Sequence, residues 1–137
     1  MTDNLTGLMW MKNADAGNDC AGSDTGTETW ATALTSAAAC NTAVYAGYTD
    51  WRLPNVLEMQ SLVHYGFYNP AVPNTAGTGK WVAGDPFTSV QATWYWTSTT
   101  GASGTSTAWF VSLAGGDVGS GPGKTNAYYV WPVRGGQ

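Results

Sequence analysis

Charge is scarce in this chain of 137 residues. Charged side chains make up 10% of it, against about 25% in an ordinary globular domain. Five are Lys or Arg and nine are Asp or Glu, for a net charge of −4. Nucleic acid and anionic membranes require clustered positive charge, so neither is an expected partner. Sulfated glycosaminoglycans are disfavoured for the same reason. No run of about 18 apolar residues occurs, which argues against a transmembrane helix. Histidine occurs once, as His64, and cysteine twice, as Cys20 and Cys40. A structural zinc takes about four nitrogen or sulfur ligands and a redox dithiol usually has CxxC spacing; the chain offers neither. No basic and apolar leader follows Met1, the pattern expected of a mature or excised domain.

Aromatic residues, by contrast, are abundant. Eight Trp, seven Tyr and three Phe are too many for a disordered chain. The length suits one domain over residues 1–137, able to bury roughly 65–70% of its unfolded surface. Many Gly, Thr and Ser beside those aromatics suit an extracellular or cell-surface module rich in β-structure. Two readings stand for the cysteines: a Cys20–Cys40 disulfide tying the segment before the first helix to that helix's end, or two buried thiols. The secreted character of the composition favours the disulfide.

Along the chain, Leu8 to Met11 reads as a short strand and residues 14–26 as a surface loop. Trp30, Ala33, Leu34, Ala37 and Ala38 fall at helical spacing, with Thr27 as the expected N-cap. Trp51 and Leu53 alternate into the core, and Arg52 between them is expected to meet a carboxylate or a backbone carbonyl. Asn55 and Glu58 have capping-box spacing for a second helix with Val56, Met59, Leu62 and Val63 inward. Asn69 to Pro86, with three prolines, reads as a long irregular loop anchored by Trp81 and Phe87. Residues 93–99, 107–113 and 127–133 read as strands. Segregated helices and strands make the fold class α+β.

Several phrases together carry a resemblance. They are Thr2-Asp3-Asn4-Leu5-Thr6-Gly7-Leu8-Met9-Trp10, Trp51-Arg52-Leu53-Pro54 with Glu58 and Ser61-Leu62 after it, Tyr95-Trp96-Thr97-Ser98-Thr99, Ala108-Trp109-Phe110-Val111, and Tyr129 through Gly136. The chain resembles the C-terminal domain family of collagen-like bacterial adhesins, the Lcl C-terminal domain. The resemblance implies a C-type-lectin-like fold, with two helices on small twisted antiparallel sheets, termini close together and a long loop region. It also implies a bacterial surface or secreted binding module. Some family members are variable proteins of diversity-generating retroelements, and the resemblance carries that role here as an implication alone. The collagen-like adhesin is associated with sulfated glycosaminoglycans; five scattered cations set this chain apart from it.

Catalysis finds little support. A general base needs a positioned partner and an acidic proton within reach, and His64 has no recognisable nucleophile motif around it. Neither cysteine sits in a cationic context that would lower its pKa. Calcium needs several oxygen ligands. The Glu-Pro-Asn and Trp-Asn-Asp triplets of sugar-binding lectins are missing, and Asp15, Asp19 and Asp24 fit no familiar calcium loop. No cofactor is expected. Asn4-Leu5-Thr6 matches a glycosylation sequon but reads as a turn.

Recognition is expected from the C-terminal third, where small loops at residues 99–107 and 115–124 join aromatic strands. The candidate ligand-binding residues are Trp94, Thr100, Ser103, Thr105, Asp117, Ser120 and Tyr128. Trp94 is taken to face outward with Trp96 pointing the other way, and Tyr128 and Tyr129 to face opposite sides. The reading is a non-enzymatic module for a protein or glycan ligand. The alternative is an assembly domain of a larger surface or fibre protein, using the same face between copies.

Overall fold

The computed structural model describes residues 1–16, 20, 26–121 and 123–135. Asp19, Asp24 and Pro122 lie outside the described residues. The elements in order are β1 (Met9–Trp10), β2 (Thr27–Glu28), α1 (Trp30–Thr42), a 3₁₀ turn at Tyr45–Gly47, α2 (Val56–Gln60), β3 (Trp94–Thr100), β4 (Ala108–Ser112), β5 (Val118–Gly119), β6 (Tyr128–Tyr129) and β7 (Val133–Arg134). Two helices and two small sheets make it α+β, as the segregation of patterns implies.

Helix α1 begins later than its sequence pattern suggests. Thr27 and Glu28 form a strand, paired antiparallel with Tyr129 and Tyr128. The cap is Thr29, whose side chain accepts from the Thr32 N–H. Ala33, Ser36, Ala37 and Cys40 form the buried stripe, whereas Ala38 is exposed. Ser36 can go inside because its hydroxyl donates to Glu28 Oε2 at 2.6 Å. Small residues on this face let the helix lie close to the sheet. Trp30 Nε1 fastens it there, donating to Thr97 O at 2.8 Å. At its far end Cys40 is disulfide-bonded to Cys20.

Helix α2 is only five residues long, with Leu62 and Val63 beyond its end. The expected capping box is present: Asn55 accepts from the Glu58 N–H, and Glu58 from the Asn55 N–H. The Arg52 guanidinium meets both Glu58 carboxylate oxygens at 2.7 Å. Trp51 and Leu53 are 3% and 2% exposed, so the strand-like alternation around Arg52 holds.

The main sheet has the order β2-β6-β3-β4-β5, and β1 pairs with β7 in a second, two-stranded sheet. The segment at 127–133 is not one strand. Tyr128–Tyr129 joins the main sheet and Val133–Arg134 pairs with β1, the chain changing sheets across Pro132, which has no N–H for a ladder. The long loop is pinned rather than loose: Ala71 and Val72 are buried, and Trp81 Nε1 donates to Phe87 O at 3.0 Å. Its backbone runs along the sheet edge, with Ala71 N donating to Leu113 O at 2.7 Å.

The two sheet faces are covered differently. Tyr95, Val111, Leu113 and Trp131 belong to the larger core with Met59, Leu62, Phe87 and Trp10. On the other face Trp96, Leu53, Ala108 and Val130 pack with Ala33 of α1. Helix α1 covers only part of this second face, and the candidate site lies on what remains.

Candidate functional site

Strand register decides which side chains meet. Trp96 is opposite Phe110 and Trp94 opposite Ser112; Phe110 is in turn opposite Gly119. Side chains two apart on a strand share a face. Trp94 and Trp96 therefore point the same way, not opposite ways, and both rings contact Tyr128, at centroid distances of 5.0 and 4.4 Å. Their exposures still differ completely, 44% for Trp94 and 0% for Trp96: Trp96 packs in a cluster with Ala33 of α1, and Trp94 is not part of that cluster. Tyr128 and Tyr129 do face opposite sides: Tyr129 stacks with Tyr95 in the larger core at 5.6 Å.

An aromatic row thus crosses the sheet. The Phe110 and Trp94 rings lie 5.0 Å apart at 34°, and Tyr128 meets Trp94 edge-on at 85°. Both arrangements are within the favourable range for ring pairs. Gly119 makes room for the row: a Cβ there would stand 2.9 Å from Phe110 Cε1. Neither Phe110 nor Gly119 was among the sequence candidates. The signal available for Phe110 was its parity with Trp96 across the hairpin; a register is needed to read it.

The candidates divide into two groups. Trp94 and Tyr128 build the aromatic row. Asp117 adjoins it, since Ser112, opposite Trp94, donates its N–H to Asp117 O at 2.7 Å. Ser103 and Thr105 are exposed in the β3–β4 turn at the other end of the hairpin. Thr100 is at that end too, accepting from Lys124 Nζ at 3.0 Å. Trp94 and Thr100 are six positions apart along the strand, roughly 20 Å. Ser120 follows β5, between the ends.

Among the described residues, Arg52, Arg134, Lys80 and Lys124 are engaged within the chain. Arg52 pairs with Glu58 and Arg134 with Asp50. Arg134 also lies 3.8 Å over the Tyr48 ring. Lys80 donates to Asn69 O, and Lys124 sits 3.7 Å over the Trp30 ring as well as on Thr100. The Arg52 guanidinium holds the Glu58 carboxyl below the usual carboxylate range, as Arg134 does for Asp50.

Other polar groups have structural partners. His64 is exposed; its Nδ1 accepts from the Gly66 N–H at 3.1 Å, and its ring stacks on Phe67 at 4.6 Å. Glu28 is 4% exposed. Burial pushes its carboxyl up and Asp15 adds to that, while the Ser36 hydroxyl opposes it. Burial also raises the Tyr95 phenol, whose oxygen accepts from the Gln91 N–H. Among the described residues no three His, Cys, Asp or Glu side chains come together as a metal site. A cavity of about 320 Å³ lies between the N-terminal turn and the long loop, floored by Leu62, Val72 and Phe87. Its polar rim is tied to its own surroundings, Asp3 to Leu5 N and Thr6 Oγ1, and Thr75 to Asp85. None of the sequence candidates lines it.

These features define a small, disulfide-linked α+β module with an aromatic strip left uncovered on one sheet face. The chain belongs to the Lcl C-terminal domain family, which it matches over residues 1–134. The family is an adhesin-associated, non-catalytic domain, and membership suggests a surface module of adhesin type. With the disulfide it also suggests an extracellular or surface setting. A comparison with curated proteins gives no match.

Proposed function

We propose that the chain is a non-enzymatic, C-type-lectin-like binding module that takes a protein or glycan ligand on the face built by its C-terminal third. The observation that carries this reading is the exposed Trp94, held between Phe110 and Tyr128 rather than buried. Rigid aromatic rings supply contact area at little conformational cost, and the sheet beneath fixes their positions. The close pairing of β1 with β7, which brings the chain's two ends together, supports the C-type-lectin-like assignment. Few ion pairs are available, so recognition works by shape, stacking and hydrogen bonds. Binding takes place at the cell surface or outside the cell and uses no cofactor. A retroelement-variable role fits loops carried on a fixed scaffold.

The test is a panel of glycans and surface proteins probed with the purified chain, in calcium and in chelator. Trp94→Ala and Thr105→Arg sample the two ends of the face. Saturable binding lost in either variant and unchanged by chelator is the expected result. Saturable binding intact in both variants would move the site off this face. Self-association abolished by Trp94→Ala, with no other ligand, would make the chain an assembly domain.

A further inference from the structure

We infer that the ligand of the aromatic row is an uncharged pyranose glycan, stacked on Trp94 with its hydroxyls turned toward Asp117. This rests on the binding-face reading above and narrows it to one ligand class.

Area supplies the first argument. A Trp side chain offers at most about 250 Å², of which 44% is open at Trp94. Phe110 and Tyr128 are half-buried and add less each, so the row itself opens at most about 250 Å², with the exposed Tyr68 ring a separate neighbour beside Gly115. A stable protein partner covers about 800 Å² on each side. A single sugar ring is matched in size to the strip itself.

The second argument is chemical complementarity. An aromatic face carries negative quadrupole density. The axial C–H bonds on one side of a pyranose are weakly positive and apolar, whereas its hydroxyls radiate from the ring edge. Such a ligand needs a flat plate with an acceptor beside it. Asp117 is exposed and continues the line Trp94–Ser112 onto the next strand. Two strand spacings place its backbone about 10 Å from that of Trp94. An ionised carboxylate accepts hydroxyl hydrogens through both oxygens. Gly115 and Gly116 precede it in the turn, and Gly119 follows on the same face as Phe110, so no bulky side chain from these positions walls off the plate.

Charge gives the third argument. Lys124 lies beside the β3–β4 turn, at the far end from Trp94, where its backbone N–H donates to Ser106 O and its ammonium is held by Thr100 and the Trp30 ring. The charged side chain that the register brings beside Trp94 is the carboxylate of Asp117. A sulfated or uronic-acid chain would meet repulsion there, and a neutral one would not.

The experiment is affinity electrophoresis in gels containing a neutral β-glucan, a neutral α-glucan, a galactomannan or heparin. Trp94→Ala, Trp94→Phe, Asp117→Asn and Val82→Ala run beside the parent chain, with thermal melts as the folding control. The expected result is retardation by at least one neutral polysaccharide. Trp94→Ala should weaken it at least tenfold and Asp117→Asn severalfold. Trp94→Phe should restore part of it, and Val82→Ala, at an exposed position on the long loop, should leave it unchanged. Heparin should not retard the chain. Retardation by heparin alone, or by neutral glycans equally in Trp94→Ala, overturns the inference. So does the lack of retardation by any of the four. In that last case the wider binding-face reading stands or falls separately, on whether a protein in the panel loses binding with Trp94→Ala.

Discussion

Opening the Cys20–Cys40 bond tests how the first third of the chain is held. The bond spans a sequence separation of 20, enclosing β2 and most of α1. In the chain-entropy account the cost of closing such a loop in the unfolded state is about 11 cal/mol/K, or about 3 kcal/mol at room temperature. Unfolding entropy of about 2.1 cal/mol/K per residue converts this to a fall in Tm of about 10 °C for a chain of this size. Cys40 is fully buried, so reduction is best done in denaturant, followed by refolding with the thiols kept reduced. Comparing reduced with oxidised wild type leaves both sulfur atoms in place and isolates the loop. Replacing both cysteines with Ala should cost about 1 kcal/mol more, because it also vacates core volume around Cys40. Calorimetry or thermal circular dichroism reads the shift. A fall under 2 °C on reduction would refute the reasoning. It would mean that residues 20–40 are already drawn together in the unfolded chain.

Three further outcomes follow from the geometry. Gly119→Ala should push the Phe110 ring off its seat, costing about 1 kcal/mol and altering the near-ultraviolet circular dichroism of the aromatic row; an unchanged spectrum would contradict the packing. Glu58→Ala should destabilise the fold by about 1 kcal/mol through the lost cap, the half-exposed Arg52 pair adding little after solvent screening. Because the Glu58 pKa is lowered in the folded state, that stabilisation is present above the ordinary value of 4.5 and lost as pH falls below it; a parallel pair of stability–pH curves for variant and parent would refute it. Glu28 has the opposite sign. Its raised folded-state pKa means that the unfolded chain releases its proton first, so stability falls as pH rises from about 4.5. Glu28→Gln, which keeps an acceptor for Ser36, should therefore gain on the parent as pH rises from 4.5, and a constant difference in Tm across that range would refute it.

Local chemistry explains which parts were legible in the sequence. The Asn55–Glu58 box, the inward Trp51 and Leu53 and the cysteine pairing depend on residues close in the chain or on the composition of the whole. The start of α1 was misplaced because Thr27 and Thr29 are equally good caps, and only the pairing of Thr27 and Glu28 with β6 separates them. Strand β5 was read as loop because two residues, one of them Gly119, carry no strand periodicity. The aromatic row was half legible. Trp94 and Tyr128, two of the expected binding positions, do lie in it, but the premise that Trp94 and Trp96 diverge does not hold. The two are alike in sequence and orientation; what separates them is how far α1 extends over the sheet. Phe110 was missed for the same reason, since exposure on a shared face is decided by a helix distant in sequence.

The β1–β7 pair also has a mechanical consequence. Met9 faces Arg134 and Trp10 faces Val133 in an antiparallel ladder, so the outer ends of the two strands are neighbours. Tension applied through the chain's two ends would load this ladder one rung at a time, like a zipper, instead of shearing all rungs at once. The contacts of Met1 with Trp10 and of Thr2 with Met9 part first, and then the Met9–Arg134 rung, where Arg134 also holds Asp50 and covers Tyr48. The aromatic row on the main sheet is not part of that ladder. A module built in this way would let this seam peel under tension before the strain reached the aromatic row.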